Sequence, residues 1–211
     1  CGNPGRKSPP ARRPGLKPVK LALPGLERLL LAACLAFSLA MCLGPIANPD
    51  VPWHLAVGRH IVAERSIPRT DFLSWTMAGK PWVDFEWLTQ LLLHGLDQAG
   101  GTAVLWAFKI FTFSILALAA ASLLALWGLS ETWIGLSIFS LMAALRPFIE
   151  VRPENFSLIF FVLQLLALET RRLGRLRVSD GACLAGHAAL YALWANLHAG
   201  FPVGLLLCAC Y

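Results

Sequence analysis

Charge is what this chain has least of. Asp, Glu, Lys and Arg make up 14% of its 211 residues, whereas a soluble domain carries about a quarter. That shortage argues against a water-soluble globule. The six cysteines contain no CxxC pair, so the chain lacks the thiol spacing of a zinc or redox motif. Cys34, Cys42, Cys183, Cys208 and Cys210 all lie in apolar stretches, where a thiol behaves as a small hydrophobe. No internal repeat is visible. His60, His94 and His187 are read as structural. A nucleic-acid role is excluded by placement. The net charge is +6 and the pI near 9.3, but the basic residues gather in two short stretches beside apolar blocks, as orientation signals do.

What is abundant is apolar sequence. Hydrophobic residues reach 57% and mean hydropathy is +0.62. They come in long blocks and not at amphipathic spacing, the pattern of a polytopic membrane protein. The expected fold is all-α: a transmembrane helical bundle of about five spans. The spans fall near 26–46, 103–127, 132–146, 156–169 and 182–207, the last interrupted near 196–200 and opening toward a sixth. Residues 1–24, rich in Pro, Gly, Arg and Lys, read as a disordered basic tail. The chain begins at Cys1 and stops at Tyr211 inside an apolar run, so a fragment of a longer protein is expected.

Sidedness follows from two basic clusters. The tail holds Arg6, Lys7, Arg12, Arg13, Lys17 and Lys20, and one short loop holds Arg171, Arg172, Arg175 and Arg177. A cytoplasmic tail puts the arginine loop on the same side after four crossings, which satisfies the positive-inside bias twice. A lipidated Cys1 outside the cell would oppose that bias. The same alternation gathers 47–102, 146–155 and 196–200 together on the opposite, outer face of the membrane. Within 47–102, Pro52 can occupy the first turn of a helix running to Val62. A second amphipathic helix is expected from about Asp84 to Gln98, ended by Gly100-Gly101. Both would lie along the membrane surface.

Three polar elements share that face. Asp50, in Asn48-Pro49-Asp50-Val51-Pro52-Trp53-His54, reads either as a helix N-cap or as a base or metal ligand with His54 one turn on. Arg146-Pro147-Phe148-Ile149-Glu150-Val151-Arg152-Pro153-Glu154 reads either as a self-paired charged loop or as an anion site, since the planar arginine fork suits phosphate. Trp194-Ala195-Asn196-Leu197-His198-Ala199-Gly200-Phe201 breaks an apolar segment, with His198 either structural or a ligand. Glu86 could face the site or water.

These residues resemble a family. One span, then an Asp motif opening a large outer loop with two surface helices, then closely spaced spans, is similar to the GT-C class of membrane glycosyltransferases. That class includes oligosaccharyltransferases and protein mannosyltransferases. Asp50 to Arg59, continuing through Pro68-Arg69-Thr70-Asp71-Phe72-Leu73-Ser74 to Trp82 and Glu86-Trp87-Leu88, looks like the first-loop signature of uncharacterised bacterial members. Arg152-Pro153-Glu154 and the 194–201 motif look like later ones. The resemblance implies transfer of a sugar from a polyprenyl-phosphate donor at the outer face. It carries the role of catalytic base or metal-binding acid onto Asp50, with Glu150 or Glu154 assisting. His54, Arg59, Arg146, Arg152, Asn196 and His198 are the expected substrate-binding residues, and membrane lipid and the lipid-linked sugar the expected partners. A divalent metal, Mg or Mn, would find oxygen ligands in Asp50 with Glu150 or Glu154. The motif that opens the first loop has a single acid, Asp50, where several members have a pair. The alternatives are a polytopic transporter or channel, and a non-catalytic membrane assembly subunit.

Overall fold

Long apolar blocks separated by Gly, Pro and short polar stretches fold into helices and little else. The computed structural model describes residues 24–211, and it is all-helical. Its helices are α1 (Pro24–Ala40), α2 (Asp50–Glu64), α3 (Trp87–Leu126), α4 (Glu131–Ala144), α5 (Glu154–Arg172), α6 (Asp180–Leu197) and α7 (Phe201–Ala209). Short 3-10 turns cover Met41–Leu43 and Arg146–Phe148. Among the described residues there is no strand, only an isolated antiparallel bridge between Thr70 and Pro81. The expected basic tail lies outside the described residues except for Pro24, where α1 starts.

Local chemistry sets the helix ends. The Asn48 side chain accepts the Asp50 N–H at 3.1 Å, and Pro52 sits in the first turn of α2, where a missing N–H is harmless. Asp50 therefore opens α2 and does not cap it, which corrects the N-cap reading of that residue. Arg65 closes α2 in a left-handed conformation, φ 52°. α3 bends at Gly100-Gly101, and Gly101 adopts φ 63°, ψ −150°, a region essentially reserved for glycine. The surface helix and the span expected on either side of these glycines are thus two limbs of one kinked helix. Ser179 caps α6 by accepting the Ala182 N–H.

Close backbone approach joins the helices. Gly58 on α2 faces the Gln90 carbonyl of α3 so tightly that a Cβ there would lie 2.2 Å from that oxygen. Gly135 of α4 packs on α1, where a Cβ would meet the Leu31 Cα at 3.1 Å. The main core lies between α3, α4 and α5, centred on Phe113, Leu116, Ile138, Met142 and Ile159. A smaller core of Val51, Leu93, Leu105 and Val151 seats α2 and the 149–153 segment on α3. Between α2 and α3 the chain forms a hairpin-like loop, tied by Asp71 N–H to Lys80 O and Trp82 N–H to Arg69 O, both at 2.9 Å. His60 of α2 stacks on Phe72 of this loop, ring centroids 4.0 Å apart.

Lys109 of α3 is almost fully buried, and its Nζ donates to the carbonyls of Gly44 at 2.5 Å and Pro45 at 3.3 Å. It thereby satisfies carbonyls that the end of the first helical segment leaves open. Replacing it by Met keeps the volume and strands those acceptors. Lys109→Met is expected to cost about 2 kcal/mol, read as a lower midpoint in thermal unfolding of the detergent-solubilised protein.

Two helical segments, Gly25–Leu43 and Trp87–Leu126, are long and apolar enough to cross a membrane, and Glu131–Ala144 is a shorter apolar helix of 14 residues. In α5 the charges of Glu154 at the start and Glu169, Arg171 and Arg172 in the last turn shorten the apolar run, and Asp180, His187 and Asn196 dilute α6. Only 11% of the apolar window in Gly25–Leu43 is buried within the protein. Leu29, Phe37, Phe111, Leu118, Trp133, Leu184 and Leu206 also stand exposed on the outside of α1, α3, α4, α6 and α7. An apolar exterior on helices of this length is consistent with membrane association.

Candidate active site

The ends of α2, α3 and α5 enclose a cleft of about 340 Å³. Its walls are Asp50, Trp53 and His54 from the first turns of α2, Glu86 just before α3, and Arg152, Pro153 and Glu154 at the start of α5. Packing of Val51 and Val151 in one small core explains why two segments a hundred residues apart meet here. Asn48 fixes the junction, donating from its Nδ2 to the Val151 carbonyl at 3.1 Å.

Three carboxylates and one guanidinium share this space, and their burial tunes them. Glu86 is half-buried beside other acids. Burial first, then the charges of Glu154, Asp84 and Asp50, push its pKa up to about 7. Asp84 is raised as well by burial, although it accepts from the Glu86 N–H and from Gln90 Nε2, each at 3.1 Å. Burial lowers the His54 pKa against the opposing pull of Asp50 and Glu154. The His54 ring is 3% exposed and its Nδ1 has no hydrogen-bond partner. The Arg152 Nε is likewise buried and unpartnered, so two residues of the cleft wall carry polar atoms without a protein partner.

His198 approaches Glu86 from the break between α6 and α7. Its Nδ1 accepts from the Gly200 N–H at 3.1 Å. A backbone amide can only donate, so Nδ1 carries no proton and the Ser157 hydroxyl, 2.6 Å away, donates to it as well. Ser157 in turn accepts from Trp194 Nε1 at 2.7 Å. This chain leaves the proton on Nε2, which points to Glu86 Oε1 at 3.8 Å, beyond hydrogen-bond distance and within reach of a small side-chain rotation. Burial lowers the His198 pKa, opposed by the charge of Glu154. His198→Ala leaves the Gly200 amide without its acceptor. Hydrogen exchange through 198–201 should then rise on the order of tenfold, while His198→Asn, with an oxygen able to take the Nδ1 position, retains protection.

The expected site residues therefore divide. Asp50, His54, Arg152 and Glu154 line the cleft, and His198 reaches it through Glu86. Asn196 stands one step away, accepting from Trp87 Nε1 at 2.8 Å. Glu150 is drawn elsewhere: both of its oxygens accept the Ala47 N–H, at 3.2 and 3.3 Å. Arg146 is exposed beside Gly44, and Arg59 is exposed on α2; neither lines the cleft. The pairing of Glu150 with Asp50 in one catalytic group is corrected accordingly, because a backbone N–H captures the carboxylate. Among the described residues, no three His, Cys, Asp or Glu side chains converge on a metal position. Ser157 is the residue that spacing along the chain does not single out, and spacing leaves Glu86 open between the site and water. The signal available for Glu86 was an acid just ahead of an amphipathic helix and two residues after Asp84, which says nothing of what lies opposite. Comparison with known proteins yields no matching family model, no matching curated protein and no matching solved structure.

Proposed function

We propose that this chain is a membrane glycosyltransferase of GT-C type that takes a sugar from a polyprenyl-phosphate donor at the outer face of a bacterial inner membrane. The observation that carries this reading is one cleft holding a carboxyl group with a pKa near 7 and a guanidinium with a free buried donor. Glycosyl transfer needs a base for the acceptor proton and a cation for the departing phosphate. Glu86 is the base and Arg152 the cation, with Asp50 and Glu154 accepting from substrate hydroxyls.

The position of the cleft supports the membrane part of the reading. Glu154 begins α5 and Arg171 and Arg172 end it. Nineteen helical residues put the cleft and the basic loop about 28 Å apart, close to the thickness of a hydrocarbon core. In the five-span arrangement α1, the far limb of α3, α4, α5 and the interrupted α6–α7 pair cross the membrane. The tail and the arginine loop lie in the cytoplasm, and α2 rests on the outer surface.

The test is transfer in proteoliposomes from a radiolabelled polyprenyl-phosphate sugar, with the chain in its native context. Arg152→Ala should lower turnover about 100-fold, and Asp50→Asn should lower it by a smaller factor with a raised acceptor KM. If Asp50→Asn abolishes transfer while Glu86→Gln preserves it, the base is Asp50 and the assignment to Glu86 goes. If no polyprenyl-phosphate sugar is consumed by the wild-type protein, the glycosyltransferase reading goes with it.

A further inference from the structure

A second cavity adjoins the cleft. It measures about 450 Å³ and is lined by Trp53, Trp82, Asp84, Phe85 and Glu86 among others. Trp53 and Glu86 belong to both cavities, so an aromatic wall runs directly into a carboxylate-rich pocket. We propose that Trp53 and Trp82 form a carbohydrate-binding subsite, which holds an uncharged pyranose ring against the Asp50, Glu86 and Glu154 carboxylates.

The chemistry selects the ligand. A pyranose presents C–H groups on its faces and hydroxyl donors around its rim. The C–H face packs on an aromatic ring, and the rim hydroxyls donate to carboxylate oxygens. The two indoles lie 5.7 Å apart and are tilted by 47°, so neither covers the other's face, and Trp53 is 39% exposed. His54 underlies the same wall, its ring 5.0 Å from Trp53. It is 3% exposed, lines the cleft and keeps an unpartnered buried Nδ1, which is uncommon for a buried polar group. Three carboxylates against a single guanidinium disfavour an anionic occupant. The phosphate end of a donor is therefore confined to Arg152, and the aromatic groove takes neutral sugar. Each cavity is of the size that ligand pockets have, about 300–1,000 Å³.

The competing occupant of exposed indoles is the membrane interface. Trp75 provides an internal comparison. It is 97% exposed at the tip of the same loop and lines neither cavity.

The subsite rests on the glycosyltransferase reading for its biological use, but its binding can be measured without transfer. The full chain in lipid nanodiscs would be titrated with cellobiose, mannobiose and chitobiose, with glucose 6-phosphate as an anionic control, by saturation-transfer NMR. At least one neutral disaccharide should bind saturably and more tightly than the phosphate. Trp53→Ala and Trp82→Ala should each weaken it about tenfold. Trp53→Phe and Trp82→Phe, which keep an aromatic face, should retain most of the binding, and Trp75→Ala should leave it unchanged. Absence of saturable binding overturns the proposal, as does binding indifferent to both Trp→Ala changes. It is also overturned if brominated lipid quenches Trp53 and Trp82 and no disaccharide relieves the quenching, which assigns these rings to the membrane. Disaccharide binding without any sugar transfer leaves the subsite standing and removes the glycosyltransferase. Transfer with unchanged KM values in Trp53→Ala does the reverse.

Discussion

Glu86→Gln should abolish sugar transfer while making the protein more stable at alkaline pH. Glutamine preserves shape and hydrogen bonding and cannot take a proton, so loss of a general base is expected to reduce kcat by about 100- to 10,000-fold. The wild-type pH profile carries the same signature. A base works only when ionised, and burial with neighbouring acids holds Glu86 near pKa 7. Activity should rise as pH increases through 7 and level off above it. The stability effect runs the other way. The folded-state pKa lies above the ordinary value of 4.5, so the native protein binds this proton more tightly than the unfolded chain. Stability falls as pH rises from about 4.5 to about 7, and the whole ionisation cost is present above 7. Solvent contact at the cleft mouth reduces that cost to roughly 1–2 kcal/mol. Glu86→Gln should therefore unfold a few degrees above wild type at pH 8 and together with it at pH 4, as followed by thermal denaturation in detergent. A flat pH–rate profile, or equal melting temperatures at pH 8, would remove the assignment. A carboxyl group whose pKa is shifted this far in a cleft is also a usual mark of a functional site.

Gly58→Ala should be the most damaging single methyl group in the chain. The added Cβ would lie 2.2 Å from the Gln90 carbonyl oxygen and 2.7 Å from the His94 Cβ. The first of these is backbone inside a helix and cannot rotate away, so α2 must lift from α3. Overpacking of this kind costs about 1–3 kcal/mol. The functional loss should exceed the stability loss, because α2 carries Asp50, Trp53 and His54 into the cleft. A displacement of about 1 Å at a reacting group is enough for a 100-fold effect. Folded Gly58→Ala protein, selected by gel filtration, should thus show transfer near the level of Glu86→Gln. Gly95→Ala, one turn beyond the contact on α3 and with open space around it, should behave as wild type. Near-normal turnover in folded Gly58→Ala would show that the α2–α3 crossing does not set the cleft.

How much of this was legible beforehand can be traced residue by residue. Asp50, His54, Arg152 and Glu154 were readable because each stands where an apolar block ends, and a charge at such an edge cannot retreat into the core. Their meeting across a hundred residues depends on Val51 and Val151 packing against Leu93 and Leu105, which no local pattern displays. Arg146 has the same edge position and does not line the cleft, and Arg59 stands exposed along α2. Glu150, two residues from Arg152, is held by the Ala47 N–H. Alternation of direction along an irregular segment separates neighbours that a sequence motif lists together.

The sequence by itself determined that the chain is helical, that its exterior is apolar, and where its helices stop or bend. Gly44-Pro45, Gly100-Gly101 and Gly200 are breaks that no neighbour is needed to explain, because backbone conformation and a missing N–H act locally. Tertiary structure alone decided that Glu86 and not Glu150 joins Asp50, and that Ser157 and Gly200 fix the His198 ring. It also decided that Trp53 and Trp82 flank the acids. Those outcomes turn on which buried polar group finds a partner first, and that competition is resolved only when the helices have packed.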